Sequence, residues 1–123
     1  MTQPSAISIR PFVGARDFDD SRSFYRALGF EEIVISKDMV VFRTGTGLSF
    51  YLQKYYVRDW VDNTMLFLEV EDVDAWRAHV ATAGVVNRYK NVKLSEIVQQ
   101  EWGREFFLHD PSGVLWHIGS FAA

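Results

Sequence analysis

The sequence predicts an α+β fold built from two tandem βαβββ modules. The first observation behind this is an internal repeat. Displacing the chain by 55 residues brings Phe12 onto Phe67, Asp17 onto Asp72, Asp19 onto Asp74, Arg22 onto Arg77 and Gly29 onto Gly84, without a gap. A displacement of 66 then brings Phe42 onto Leu108, Gly47 onto Gly113, Leu48 onto Val114, Phe50 onto Trp116 and Leu52 onto Ile118. The second observation is that both halves run through the same patterns: a β-rich run, an amphipathic helix, then alternating strands. The third is size and composition. A chain of 123 residues with 48% hydrophobic and 24% charged residues is one domain's worth and has enough apolar surface for a core.

Module 1 covers about residues 5–54 and module 2 about 63–121. Residues 7–14 and 64–70 read as their first strands, and Pro11 suits a short edge strand. Asp17 or Asp19 is placed to cap the first helix, whose apolar face is Phe18, Tyr25 and Leu28. Val73, Trp76, Val80 and Ala83 form the equivalent face of the second helix. Gly29 and Gly84 follow where a left-handed residue ends a helix. Strands are predicted over residues 32–35, 39–43 and 48–53, then 104–108 and 114–121. Turns fall at Gly45-Thr46-Gly47 and Asp110-Pro111-Ser112-Gly113. The remaining strand of module 2 falls within residues 89–100, which lack a firm pattern. Residues 55–62 form a linker too short, and too rich in large side chains, to separate two domains, so residues 1–123 are one domain.

Charge and composition then narrow the function. The net charge of −3 argues against a nucleic-acid partner and suits a cationic small ligand. No apolar run reaches the ~20 residues of a membrane span. The start shows no basic segment followed by an apolar one, which makes the cytoplasm the expected compartment. The absence of cysteine excludes a disulfide framework, a thiolate zinc site and a cysteine nucleophile. Neither a Gly-x-Ser-x-Gly elbow nor a phosphate loop is present.

Several segments carry a family resemblance. They are Ala15-Arg16-Asp17, Phe24-Tyr25 with Leu28-Gly29-Phe30, and Asp62-Asn63-Thr64. The narrowest is Glu101-Trp102-Gly103-Arg104-Glu105-Phe106, leading to Asp110-Pro111-Ser112-Gly113. With the repeat, these resemble the vicinal oxygen chelate superfamily of glyoxalase I, extradiol dioxygenases and bleomycin-resistance proteins, and most of all its bleomycin-resistance branch. The resemblance implies curved mixed sheets enclosing a cleft, and a homodimer whose subunits share the binding groove and often exchange an N-terminal segment.

Enzymes of that superfamily hold a divalent metal at four strand positions, which map here onto Arg10, Tyr51, Met65 and His117. The repeat relates them in pairs, since 10 and 65 differ by 55 and 51 and 117 by 66. Only His117 is an ordinary ligand. Arg10 has no lone pair to give, Met65 offers a soft thioether, and Tyr51 would first have to lose its proton. No metal site, no cofactor and no catalytic residues are therefore expected. His79 and His109 have no neighbours at ligand spacing; His109 is expected to bond locally.

Strand alternation puts Phe12 and Phe67 on the same faces as Arg10 and Met65, and Ser49 and Leu115 with Tyr51 and His117. Each phenylalanine alone fits a core position equally well; together, at related sites, they describe a pocket lining. Trp102 is the leading ligand-contact candidate. The resemblance implies that it and Phe67 line a drug groove. Trp60 and Met39 complete the candidate set of Trp102, Phe67, Phe12, Tyr51, Met39, Trp60, Arg10 and His117. Val34, Ile35 and Met39 stand where some relatives carry aromatics. Trp76 and Trp116 read as structural.

The expected function is metal-free binding of a bleomycin-like or other planar, cationic antibiotic. The alternatives are a divergent glyoxalase- or dioxygenase-type enzyme and a binder of a metabolic ligand. His117 would serve as a general base if a carboxylate oriented it, and no such partner is visible in the sequence.

Overall fold

The computed structural model describes residues 2–45 and 47–122. Thr46, at the tip of the first predicted glycine turn, lies outside the described residues.

The chain opens with β1 (Phe12–Gly14), much shorter than the predicted run from residue 7. Residues 2–11 take no regular structure, and Ile7 and Ile9 are fully exposed. Among the described residues their strand character finds no partner until Phe12 meets Tyr51 in parallel pairing. Helix α1 (Phe18–Ala27) is capped by Asp17, whose carboxylate accepts the Asp20 N–H at 3.0 Å. Asp17 therefore fills the role that the sequence left open between it and Asp19. The helix stops at Gly29, where φ is +89°, a conformation costly for any side chain. Then come β2 (Glu31–Ser36), β3 (Met39–Arg43) and β4 (Ser49–Gln53). With β1 they make a sheet ordered β1-β4-β3-β2.

The stretch between the modules holds a short helix, α2 (Arg58–Asp62), and buries Val61 in the core. Module 2 runs through β5 (Met65–Glu69) and α3 (Val73–Thr82), the latter capped by Asp72 onto Ala75 N–H at 2.9 Å. A single turn, α4 (Val85–Arg88), follows Gly84. The unpatterned residues 89–100 prove to hold two fragments, β6 (Lys93–Leu94) and β7 (Val98–Gln99). Both pair with β8 (Gly103–His109), which pairs with β9 (Leu115–Phe121). This second sheet is ordered β5-β9-β8-β6, with β7 also on β8.

In both sheets the even-numbered positions of the two innermost strands, such as Phe42, Phe50, Phe106, Leu108, Trp116 and Ile118, are buried in one core. Trp116 joins the halves. Its ring lies 5.2 Å from that of Phe50, and its Nε1 donates to the Tyr25 hydroxyl at 3.0 Å. That hydroxyl donates in turn to Asp110 Oδ2 at 2.7 Å. Asp110 Oδ1 accepts the N–H groups of Ser112, Gly113 and Val114, at 2.8, 2.9 and 3.0 Å. Burial holds the Asp110 carboxyl above the ordinary aspartate range despite these donors. It also lifts the Tyr25 phenol well above its usual value, with the Asp110 charge adding to the effect. The odd-numbered positions of the same strands, Tyr51, Phe107 and His117 among them, line the other face of each sheet.

Candidate functional site

The open face of the second sheet carries a cluster of aromatic rings. Phe67, on β5, lies directly opposite His117 on β9, the rings stacked at 6.2 Å and 22°. Trp102, in the tight turn before β8, meets the Phe67 edge at 5.6 Å and Phe121 at 5.1 Å. Phe67 and Phe121 are 5.8 Å apart, and Phe107 stands edge-on to His117 at 5.2 Å. Phe67 remains 43% exposed and Phe121 56%, so the cluster faces outward rather than filling the core.

Beneath it lies a carboxylate. Glu105 is only 4% exposed, yet it is held on both oxygens. Oε1 is 2.9 Å from His117 Nδ1, and Oε2 accepts from Gln100 Nε2 at 2.9 Å. A carboxylate can only accept here, so Nδ1 carries a proton and points it at Glu105. The register explains the pairing. Phe107 faces His117 and Glu105 faces Gly119, so Glu105 and His117 are diagonal neighbours. Gly119 makes the room. A Cβ there would sit 2.9 Å from Glu105 Cβ, 2.7 Å from the Arg104 carbonyl oxygen and 3.3 Å from Phe67 Cζ.

The first sheet holds a second group. Phe12 stacks on Tyr51 at 4.6 Å and 13°. Arg10 reaches the Tyr51 hydroxyl with Nη1 at 3.4 Å, its guanidinium 5.8 Å from the ring. The eight candidates thus fall into separate sets: Arg10, Phe12 and Tyr51 on one sheet, Phe67, Trp102 and His117 on the other. Met39 starts β3, half-buried, diagonal to Tyr51 across the β3–β4 pair. Trp60 stands 64% exposed on α2, its ring 5.9 Å from Tyr55, and joins neither set. Glu105, Gln100, Gly119, Phe107 and Phe121 were absent from the sequence-based set. The repeat holds the missed signal, because Glu105 is Met39 displaced by 66 just as His117 is Tyr51 displaced by 66.

His109 departs from expectation. Its imidazole makes no hydrogen bond among the described residues, and instead lines a cavity with Lys93. His79, by contrast, lies 2.6 Å through Nε2 from the Leu28 carbonyl, a tie between the two helices' ends.

The superfamily's divalent metal does not fit this donor set. Arg10 spends its guanidinium on Tyr51, Met65 is exposed without a partner ligand, and His117 is the sole imidazole. Among the described residues no group of three or more His, Asp or Glu side chains is arranged to hold an ion.

Paired βαβββ modules, each with its own sheet, define a fold of the vicinal oxygen chelate type. The model of the glyoxalase/bleomycin resistance protein/dioxygenase superfamily matches residues 9–118, and the chain belongs to that superfamily. Comparison with curated proteins finds no match in sequence. Among solved structures, the fold is similar to the bleomycin-binding protein of Streptomyces verticillus in complex with copper(II)-bleomycin. The identity is 24%, the TM-score 0.80, and 98% of this chain and 100% of that one are covered. A bleomycin resistance determinant encoded on the transposon Tn5 gives 18% identity and a TM-score of 0.79, covering 94% and 98% of the two chains. A lactoylglutathione lyase from Agrobacterium tumefaciens gives 17% and 0.68, covering 96% and 95%. A bleomycin-binding protein, a bleomycin resistance determinant and a lyase thus share this fold with the chain.

Proposed function

We propose that the protein binds a bleomycin-like or other planar, cationic antibiotic and confers resistance by holding it unaltered. The observation that carries this reading is the exposed cluster of Phe67, Trp102 and Phe121 around the Glu105–His117 pair. A flat guest ring laid on such faces gains ~0.5–1.5 kcal/mol per aromatic pair beyond area burial. The misfit of the metal positions supports holding over metal chemistry, with no cofactor involved. The shared fold with bleomycin-binding proteins supports the guest class.

The working form in this reading is a cytoplasmic homodimer acting on a small molecule, with no nucleic-acid or membrane partner. Apolar exposure supports the dimer. Ile7 and Ile9 are bare, and so are Val34 and Ile35 on the edge strand β2. The accessible surface is 8002 Å². A compact chain of this mass exposes roughly 6800 Å².

Titrating metal-free bleomycin into the protein while following tryptophan fluorescence tests the guest. A saturable change at micromolar drug is expected, weakened at least about tenfold in Trp102→Ala. No change at that concentration removes bleomycin as the guest. A second reading, an enzyme of the glyoxalase or dioxygenase type, is favoured by one observation: the carboxylate partner that orients His117 as a base is present. Metal analysis of protein purified without chelator separates the two, since a stoichiometric divalent ion would favour the enzyme.

A further inference from the structure

A cavity of about 550 Å³ opens where distant parts of the chain converge. Arg16 comes from the loop between β1 and α1, Arg58 from the start of α2, Lys93 from β6 and His109 from the end of β8. The seven residues of β8 separate His109 from the Trp102 turn by about 20 Å, so this is not the aromatic site. Asp62 is the carboxylate among the described lining residues, and it is already paired with Arg58, at 3.5 Å. Arg16 and Lys93 form no ion pair among the described residues. Asp17 and Asp20 line a neighbouring depression shared with Arg16 and Lys90. That leaves Lys93 as the cation of the hollow with no carboxylate beside it, next to the His109 imidazole.

Positive charge prevails there, because Arg16, Arg58 and Lys93 share the described lining with one carboxylate, Asp62. The His109 imidazole is held below its ordinary value, first by burial and then by the Lys93 charge. A chain with a net charge of −3 has thus gathered cations in one hollow. The hollow is also rigid. Its Pro111–Gly113 wall is pinned by the buried Asp110, and Ser112 Oγ accepts the Arg16 N–H at 2.9 Å.

We propose that this cavity binds a small molecule bearing a phosphate group, with Arg16, Lys93 and His109 supplying the donors. Three donors from separate elements match the three terminal oxygens of a phosphate monoester better than the two of a planar carboxylate. The volume exceeds what a bare phosphate fills and leaves space for a small organic part.

The test follows the His109 ring proton by NMR across pH, assigned with His109→Gln, in chloride, inorganic phosphate and ribose 5-phosphate at matched ionic strength. A phosphate seated beside the imidazole favours its charged form, so the titration midpoint is expected to rise by about 1 pH unit. A rise with both phosphate probes supports recognition of the group itself. A rise with the ester alone also supports the site and assigns the organic part. Equal midpoints in all three solutions overturn the proposal. In Lys93→Gln the chloride midpoint rises on its own, because a like charge is gone, and the further rise with phosphate is expected to shrink or vanish. Persistence of the full further rise in that variant overturns the placement. Circular dichroism confirms that this surface substitution leaves the fold intact.

Discussion

Tyr25 shows how much one atom can organise. Its hydroxyl donates to Asp110 and accepts from Trp116, and all three residues are buried. Tyr25→Phe keeps the ring and deletes the link, leaving an indole N–H and a carboxylate oxygen without their partner. Its expected cost is about 1–3 kcal/mol, read as a lower urea midpoint at unchanged slope. At this scale the sequence was partly legible. His117 and Trp102 stood out because a displaced copy and a narrow motif marked them. Glu105 did not, although it lies inside that motif. An isolated glutamate in a strand reads as a surface charge, and only the cross-strand register shows that it sits diagonal to His117 and opposite a glycine. His109 misled for a similar reason: next to a turn, an imidazole is expected to bond locally, yet Asp110 alone satisfies that turn.

Among the elements, β2 and α1 are joined by charge. Glu32 receives Arg22 Nε at 2.8 Å and Arg26 Nη1 at 3.1 Å, and its side chain is 14% exposed. Hydrogen bonding from Arg22 holds the Glu32 carboxyl below the ordinary value of 4.5, against the opposing effect of burial. A carboxyl depressed in the folded state stabilises fully above its unfolded value, and that contribution fades as pH falls through the folded value. Glu32→Gln is therefore expected to be about 1 kcal/mol less stable than the parent at pH 7, with a smaller gap at pH 3. Urea unfolding at both values checks this; an equal gap at both would refute it. The two long helices were readable because their caps and apolar faces are local properties. The fragments β6 and β7 were not, since two residues carry no periodicity and are ordered by β8 alone. The opening strand was over-read. Residues 7–11 have the alternation of a strand, but a strand also needs a neighbour, and local pattern does not supply one.

For the whole molecule, Trp116, Tyr25 and Asp110 tie both halves into one core, so a single cooperative unfolding transition is expected. The bare arm is a different matter. Deleting residues 2–9 removes almost nothing from this core, so far-ultraviolet circular dichroism should be unchanged. On the homodimer reading, sedimentation should then shift towards monomer; an unaltered dimer would show that the arm plays no part in association.

Gly119 has a counterpart too. Displaced by 66 it falls on Gln53, which faces Met39 as Gly119 faces Glu105. The two halves repeat a scaffold, but at this spot one has a glycine, whose missing side chain admits Glu105 and Phe67, and the other a long amide. Transplanting Glu and His onto positions 39 and 51 would accordingly fail to recreate the buried pair unless Gln53 were whittled to glycine as well. The halves share a strand order, yet here they are not exchangeable piece for piece.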